Sequence, residues 1–154
     1  TGNFAQAETA FQDVAARFGN SFLGAKAHFY LANVYYNTNR VPEAKKEFGL
    51  FLSRVKNDPL LSPAAQLGIG NCEEQAGDNA AAARSYEAVR RRWPKSPLAH
   101  DATMAAGRAH RNAGDLAKAE ALYKELLKTL PQGEQHGDAQ AELARVQALQ
   151  NKFH

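Results

Sequence analysis

The chain has 154 residues, with 19 Lys+Arg against 16 Asp+Glu, a formal net charge of +3 and a pI near 9.1. Its basic residues are dispersed, with no dense run beyond Arg90-Arg91-Arg92, which argues against a nucleic-acid or membrane-surface partner. The single cysteine, Cys72, excludes an intramolecular disulfide and fits a reducing cytosol and a periplasm equally well. No apolar run approaches the roughly 18 residues of a membrane span.

Apolar residues recur at helical spacing throughout, and no strand pattern competes. In chain order the spacing predicts eight helices, at about 3–18, 22–38, 41–56, 61–76, 79–93, 97–113, 116–130 and 137–151. Gly19, Gly77 and Gly114 suit positions just past a helix end, where left-handed backbone is cheap only for glycine. Pro94 and Pro131 follow Trp93 and Leu130, and a proline cannot continue a helix because it lacks an N–H and clashes with the preceding turn. Ser21, Ser62 and Ser96 precede new helices as candidate N-caps. Pro63 and Pro97 stand in the favoured first turn.

These helices carry an internal repeat. Gly2-Asn3-Phe4-Ala5-Gln6-Ala7, Asn39-Arg40-Val41-Pro42-Glu43-Ala44, Gly77-Asp78-Asn79-Ala80-Ala81-Ala82 and Gly114-Asp115-Leu116-Ala117-Lys118-Ala119 share one pattern and start 37, 38 and 37 residues apart. Each runs from a turn residue through a polar helix opener to a small alanine. Four residues later comes an aromatic (Phe11, Phe48, Tyr86, Tyr123), and three further an apolar residue (Val14, Phe51, Val89, Leu126). The other helices align as Leu31-Ala32-Asn33, Ile69-Gly70-Asn71, Ala106-Gly107-Arg108 and Leu143-Ala144-Arg145. The small central residue lets the paired helix, carrying Ala44, Ala82 or Ala119, pack at short range. A period of this length marks a solenoid, in which each unit buries its apolar face against its neighbours. That favours a binding scaffold over an enzyme.

The combined pattern resembles a tetratricopeptide repeat (TPR) protein over roughly residues 2–150. The resemblance implies an all-α fold, a right-handed superhelix (α-solenoid) of about eight antiparallel helices in a single domain over residues 1–154. It parses as the second helix of a truncated repeat at 2–20, repeats at 22–58, 60–95 and 97–132, and a capping helix at 136–151. Any export signal or anchor is then expected upstream. The period exceeds the usual 34 of the family. His28, Gln66 and Thr103 replace its early aromatic, and Glu73 and His110 replace the tyrosine kept at Tyr35. The junctions Arg17-Phe18-Gly19-Asn20-Ser21 and Arg92-Trp93-Pro94-Lys95-Ser96-Pro97-Leu98-Ala99 resemble those of bacterial cell-envelope TPR proteins. That group includes the Tol-Pal-associated cell-division coordinator and outer-membrane assembly lipoproteins. This resemblance implies a periplasmic or cell-envelope location, with the cytoplasm as the alternative.

The residues offer little chemistry. The histidines at 28, 100, 110, 136 and 154 are scattered without metal-ligand spacing, so neither a metal nor a cofactor is expected. His110 reads as a structural histidine. Cys72, beside Glu73 and Glu74, lacks a neighbouring base or positive charge and reads as a buried, inert thiol. Gly68-Ile69-Gly70 falls inside a helix with no preceding strand, which removes the dinucleotide and phosphate-loop readings. Glu73 is expected either to stay solvated or, if buried, to pair with Arg84, Arg108 or His110.

In TPR superhelices the first helix of each pair lines a concave groove. Helical projection puts Lys26, Phe29, Asn33, Tyr36 and Asn37 on that face, then Leu67, Asn71, Glu74 and Gln75. Asp101, Met104, Arg108, Arg111 and Asn112 follow, and finally Asp138, Arg145 and Leu149. Asparagines suit a peptide backbone and arginines suit carboxylates. A protein or peptide partner is therefore expected, with an acidic segment meeting Arg108, Arg111 and Arg145, and no nucleic acid. Columns that hold the carboxylate clamp of chaperone-binding members carry Tyr30, Gly68 and Ala105 here, so a chaperone C-terminus is not the expected ligand. Phe4, Phe11 and Val14 should be only partly covered, which suggests weak self-association through the N-terminal helix.

Overall fold

The computed structural model describes residues 2–153, and among them it contains eight helices and no strand. They are α1 (Gly2–Arg17), α2 (Phe22–Asn37), α3 (Val41–Arg54), α4 (Leu61–Gln75), α5 (Asn79–Arg92), α6 (Ala99–Asn112), α7 (Leu116–Thr129) and α8 (Glu134–Lys152). Each predicted helix is found. The boundaries fall within about two residues except at the start of α8, which begins earlier than expected, at Glu134.

The caps explain most of the boundaries. Ser21 Oγ accepts the Gly24 N–H at 3.1 Å, and Asp78 and Asp115 accept the Ala81 and Lys118 N–H groups at 3.0 and 3.2 Å. Each bond satisfies one of the orphan donors at a helix start. Gly77 and Gly114 have φ of +85° and +89°, the left-handed turn that only glycine adopts cheaply, and Asn39 does the same at +62°. Two expected punctuation marks work differently. Gly19 is not in a left-handed conformation. Ser62 is no cap: it is buried inside α4, with Oγ donating to the Val55 carbonyl and accepting from Asp58 N–H. Asp58 caps instead, its Oδ1 taking the Leu60 and Leu61 N–H groups at 3.0 and 2.7 Å.

The chain forms two compact units, divided between Ala76 and Gly77. In each, consecutive helices pack side by side: α1 to α4 in the first, α5 to α8 in the second. The first unit closes around aromatic rings. Phe29 meets Phe48 and Phe51 edge-on, at centroid distances of 5.8 and 5.4 Å. Ala32, Ala44 and Ala65 are wholly buried beside them. A Cβ on Gly68 would stand 2.6 Å from the Phe48 ring, so only glycine lets α4 approach α3 there. The second unit repeats the device: a Cβ on Gly107 would stand 2.5 Å from the Tyr123 ring. Ala82, Ala106 and Ala119 are fully buried. Ring packing thus explains the small residue of the column at Gly107, while Gly68 lies two residues before the column's Gly70. Ala144, expected in the same role on α8, is exposed.

Candidate functional site

On the first unit the projected face of α2 divides. Phe29, expected on the binding face, belongs to the core. The residue beside it, Tyr30, is exposed and stacks on Phe11 of α1 at 5.5 Å. Phe22 is also exposed, with the Lys26 ammonium 5.6 Å from its ring centre. Phe22, Lys26 and Tyr30 recur at four-residue intervals and form one stripe along the helix. Sequence projection missed Phe22 and Tyr30, although that spacing was visible. Asn33 Nδ2 donates to the Phe29 carbonyl at 3.0 Å, which engages one of its amide hydrogens, while Asn37 stays exposed. Tyr36 is half-buried; burial, with Cys72 and Glu74 nearby, raises its phenol above the ordinary value. Asn71 on α4 is half-buried.

On the second unit α6 and α8 hold a cavity of about 280 Å³ lined by His100, Asp101, Met104, Arg108, Leu130, Gln135 and Asp138. Four of these residues (Asp101, Met104, Arg108 and Asp138) were projected onto one face from the sequence. Met104 also packs against the Leu126–Leu130–Ala139 cluster, so the apolar floor of the cavity is continuous with the core. Arg108 brings a guanidinium to the rim and the two aspartates bring carboxylates. Arg111 and Arg145 share one acidic partner. Glu142 accepts from Arg111 at 2.5 Å, which ties α6 to α8, and from Arg145 of its own helix at 2.6 Å. One carboxylate thus serves two guanidinium groups, of which Arg145 is the more exposed. Asn112 is exposed beside them.

The polar residues in core columns are structural. Glu73 is buried, and its carboxylate meets the Lys45 ammonium at 3.1 Å. Lys45 follows Ala44 on α3 and was not among the candidate partners. A buried carboxylate is tolerable only with such a counter-charge. His110, expected as a structural histidine, is buried with Nε2 donating to Glu87 on α5. His28 Nδ1 lies 2.5 Å from Glu47 on α3. Cys72 is buried, and desolvation first, then the Glu73 carboxylate, pushes its thiol up to about 11 despite opposition from Lys45. A protonated thiol is a poor nucleophile. Among the described residues no cluster of His, Cys, Asp or Glu could hold a metal ion. Nor is any helix long and apolar enough to cross a membrane.

The sequence pattern of the tetratricopeptide repeat family matches residues 1–49, 54–96 and 67–134. The chain belongs to this family. Its TPR fold has solved counterparts. The nearly identical TPR-like repeats assigned to a kinesin light chain of Podosopora anserina superpose with a TM-score of 0.80 at 18% identity, covering 98% of this chain and 81% of that one. MamA gives 0.70 at 16% identity, covering 99% and 91%. The type III secretion translocator chaperone SycD of Yersinia enterocolitica gives 0.64 at 21% identity, covering 86% and 96%. At these identities the likeness concerns the fold. No curated protein matches the chain by sequence at a significant level. In TPR terms, α2, α4, α6 and α8 carry the columns of first helices and α1, α3, α5 and α7 those of second helices.

Proposed function

We propose that this TPR chain is a non-enzymatic scaffold that holds an extended or helical segment of a protein partner against the first helices of its repeats. The observation that carries the reading is the cavity between α6 and α8. It joins an apolar floor at Met104 and Leu130 to charged groups of both signs at Arg108, Asp101 and Asp138. Concave sites with apolar walls and a few placed polar groups are where polypeptide and small ligands bind. Arg108 is the cation that would meet an acidic residue of the partner, and the aspartates would orient a neighbouring basic or amide group. Arg111 holds α8 in place through Glu142. On the first unit the α2 stripe of Phe22, Lys26 and Tyr30 would offer an aromatic contact of its own, in the role expected of Phe29. The fold shared with a translocator chaperone supports a polypeptide ligand.

We assign the complex to the bacterial cell envelope. That assignment rests on the resemblance of the junction around Trp93, Pro94 and Ser96, and fractionation of the native cell tests it. For the binding site the test is a displayed library of short random peptides panned on the 154-residue chain, followed by titration of the recovered sequences. Met104→Asp and Arg108→Ala should each weaken binding at least tenfold, about 1.4 kcal/mol, while Lys118→Ala on the exposed side of α7 leaves it unchanged. Wild-type affinity in both cavity variants, with loss on changing α7, would overturn the assignment. A role as a spacer or self-association module is the alternative, and the exposed surface of α1 favours it.

A further inference from the structure

The second unit holds another cavity, of about 150 Å³, between α5, α6 and α7. Ala99, Thr103 and Leu126 are its buried floor, while His100 and Thr129 stand exposed at its rim. Arg90 of α5 and Glu125 of α7 also line it and pair at 2.7 Å. The repeat columns explain the space. Thr103 stands three residues before Ala106 as His28 stands before Leu31, and Leu126 shares the column of Phe51. The first unit thus carries an imidazole, paired with Glu47, and a fully buried phenyl ring in columns where the second carries smaller side chains. Shorter side chains on the same helical frame leave volume unfilled.

Size and hydrogen bonding together select the occupant. A cavity of roughly 150 Å³ admits one benzene-sized ring, which favours a single ring over a fused indole. Thr103 Oγ1 donates to the Ala99 carbonyl at 2.8 Å, and Thr129 Oγ1 to the Leu126 carbonyl at 3.0 Å. A hydroxyl has one hydrogen and two lone pairs, so each of these can only accept from a ligand. The Glu125 carboxylate is an acceptor as well. A ring that brings its own donor matches this set. A bare phenyl ring fills the volume without using it, and a carboxylate would be repelled by Glu125.

We propose that this cavity receives a tyrosine side chain of the polypeptide partner, its ring against Ala99 and Leu126 and its hydroxyl donating to Thr103. The source of the tyrosine rests on the scaffold reading; the chemistry of the cavity does not. His100 lines this cavity and the α6/α8 cavity alike, so the two adjoin across one residue of α6. Met104, in the α6/α8 cavity, follows His100 by four residues, about one helical turn. A segment seated at Met104 therefore brings a residue close by in its own sequence to the Thr103 floor.

The compound p-cresol, a tyrosine side chain without its backbone, probes the cavity apart from any peptide, and toluene is the same ring without the hydroxyl. Titrated into the isotope-labelled chain and followed by NMR, p-cresol should saturably shift the amides of Ala99, Thr103, Leu126 and Thr129. Toluene should bind about tenfold more weakly, the worth of one hydrogen bond. Thr103→Val keeps the shape of the floor and removes its acceptor, so the two probes should then bind alike. Leu126→Phe, which returns the first unit's residue to this column, should abolish both. In peptides recovered on the chain, exchanging tyrosine for phenylalanine should cost about tenfold on the wild-type protein and nothing on Thr103→Val. The proposal is overturned if p-cresol gives no saturable shift, if toluene binds wild type as tightly, or if the preference for p-cresol survives Thr103→Val. Peptides that depend on Met104 and Arg108 but bind equally well with phenylalanine would overturn it too, and would leave the scaffold reading intact. Peptide binding indifferent to Met104 and Arg108, with p-cresol still bound, overturns the scaffold reading and with it the partner as the source of the tyrosine.

Discussion

The two compact units follow one repeat pattern but fill their interiors with different material. The first, through Ala76, packs large rings: Phe29, Phe48 and Phe51 meet edge-on while Tyr35 closes the cluster. The second, from Gly77, relies on methyl groups. Ala82, Ala83, Ala102, Ala106, Ala109 and Ala119 all reach zero exposure around Tyr86 and Tyr123. Offset and edge-on aromatic contacts concentrate stabilisation in a few side chains. A lining of alanines spreads it over many small contacts and leaves no room for growth. The first unit should therefore be sensitive to removal of atoms and the second to their addition.

The largest effect is expected where a ring is lost. Phe51 and Leu126 hold the same repeat column and are 0% and 3% exposed. Phe51→Ala should cost about 3–5 kcal/mol and Leu126→Ala about 2–5 kcal/mol, with the phenylalanine the costlier of the two because more buried area is removed. Urea unfolding followed by circular dichroism measures both. A leucine deletion that costs more than the phenylalanine deletion would break the contrast between the units. Next in size is addition. Ala82→Leu forces a larger side chain into a site with zero exposure and should cost about 1–3 kcal/mol. Unchanged thermal unfolding would show that the repeat columns are misaligned.

The smallest effect concerns a polar atom inside the second unit. The Tyr123 hydroxyl is buried and finds no hydrogen-bond partner among the described residues. Burial first, then the Glu142 carboxylate, pushes its phenol up from 10.0 to about 12, against the opposing arginines at 111, 108 and 145. The folded state thus favours the neutral phenol. Its contribution to stability is complete below about pH 10 and is lost as pH rises towards 12. Tyr123→Phe should raise stability by about 1 kcal/mol at neutral pH, since it removes an unsatisfied buried group. It should also shift the midpoint of alkaline unfolding upward. An unchanged alkaline midpoint in this variant would show that the phenol does not govern that transition.

Much of the fold was legible because its signals are local. Helical period, the Gly-Asp turns with their capping aspartates, and prolines after Trp93 and Leu130 act within a few residues of themselves. The candidate site was legible in part. Asp101, Met104, Arg108 and Asp138 reached one cavity because first helices carry them at matching columns. Phe29 did not stay on the binding face, because its ring fits between Phe48 and Phe51 and burying it outweighs leaving it in water. Tyr30 took the exposed position one residue on. Glu142 and Arg145 stand three residues apart on one helix, a pairing the spacing allows, but nothing local revealed that Arg111 of α6 would reach the same carboxylate.

Sequence by itself determined the number of helices, their order, the repeat columns and the small residues at Ala32, Gly107, Ala82 and Ala119, since backbone propensity and period are properties of adjacent residues. Tertiary structure alone decided which polar side chains were engaged. Lys45 for Glu73, Glu87 for His110 and Glu142 for Arg111 are pairings between helices, fixed by rotation and axial offset. A few ångströms of either separate a buried ion pair from a solvated charge, and no single helix encodes that distance.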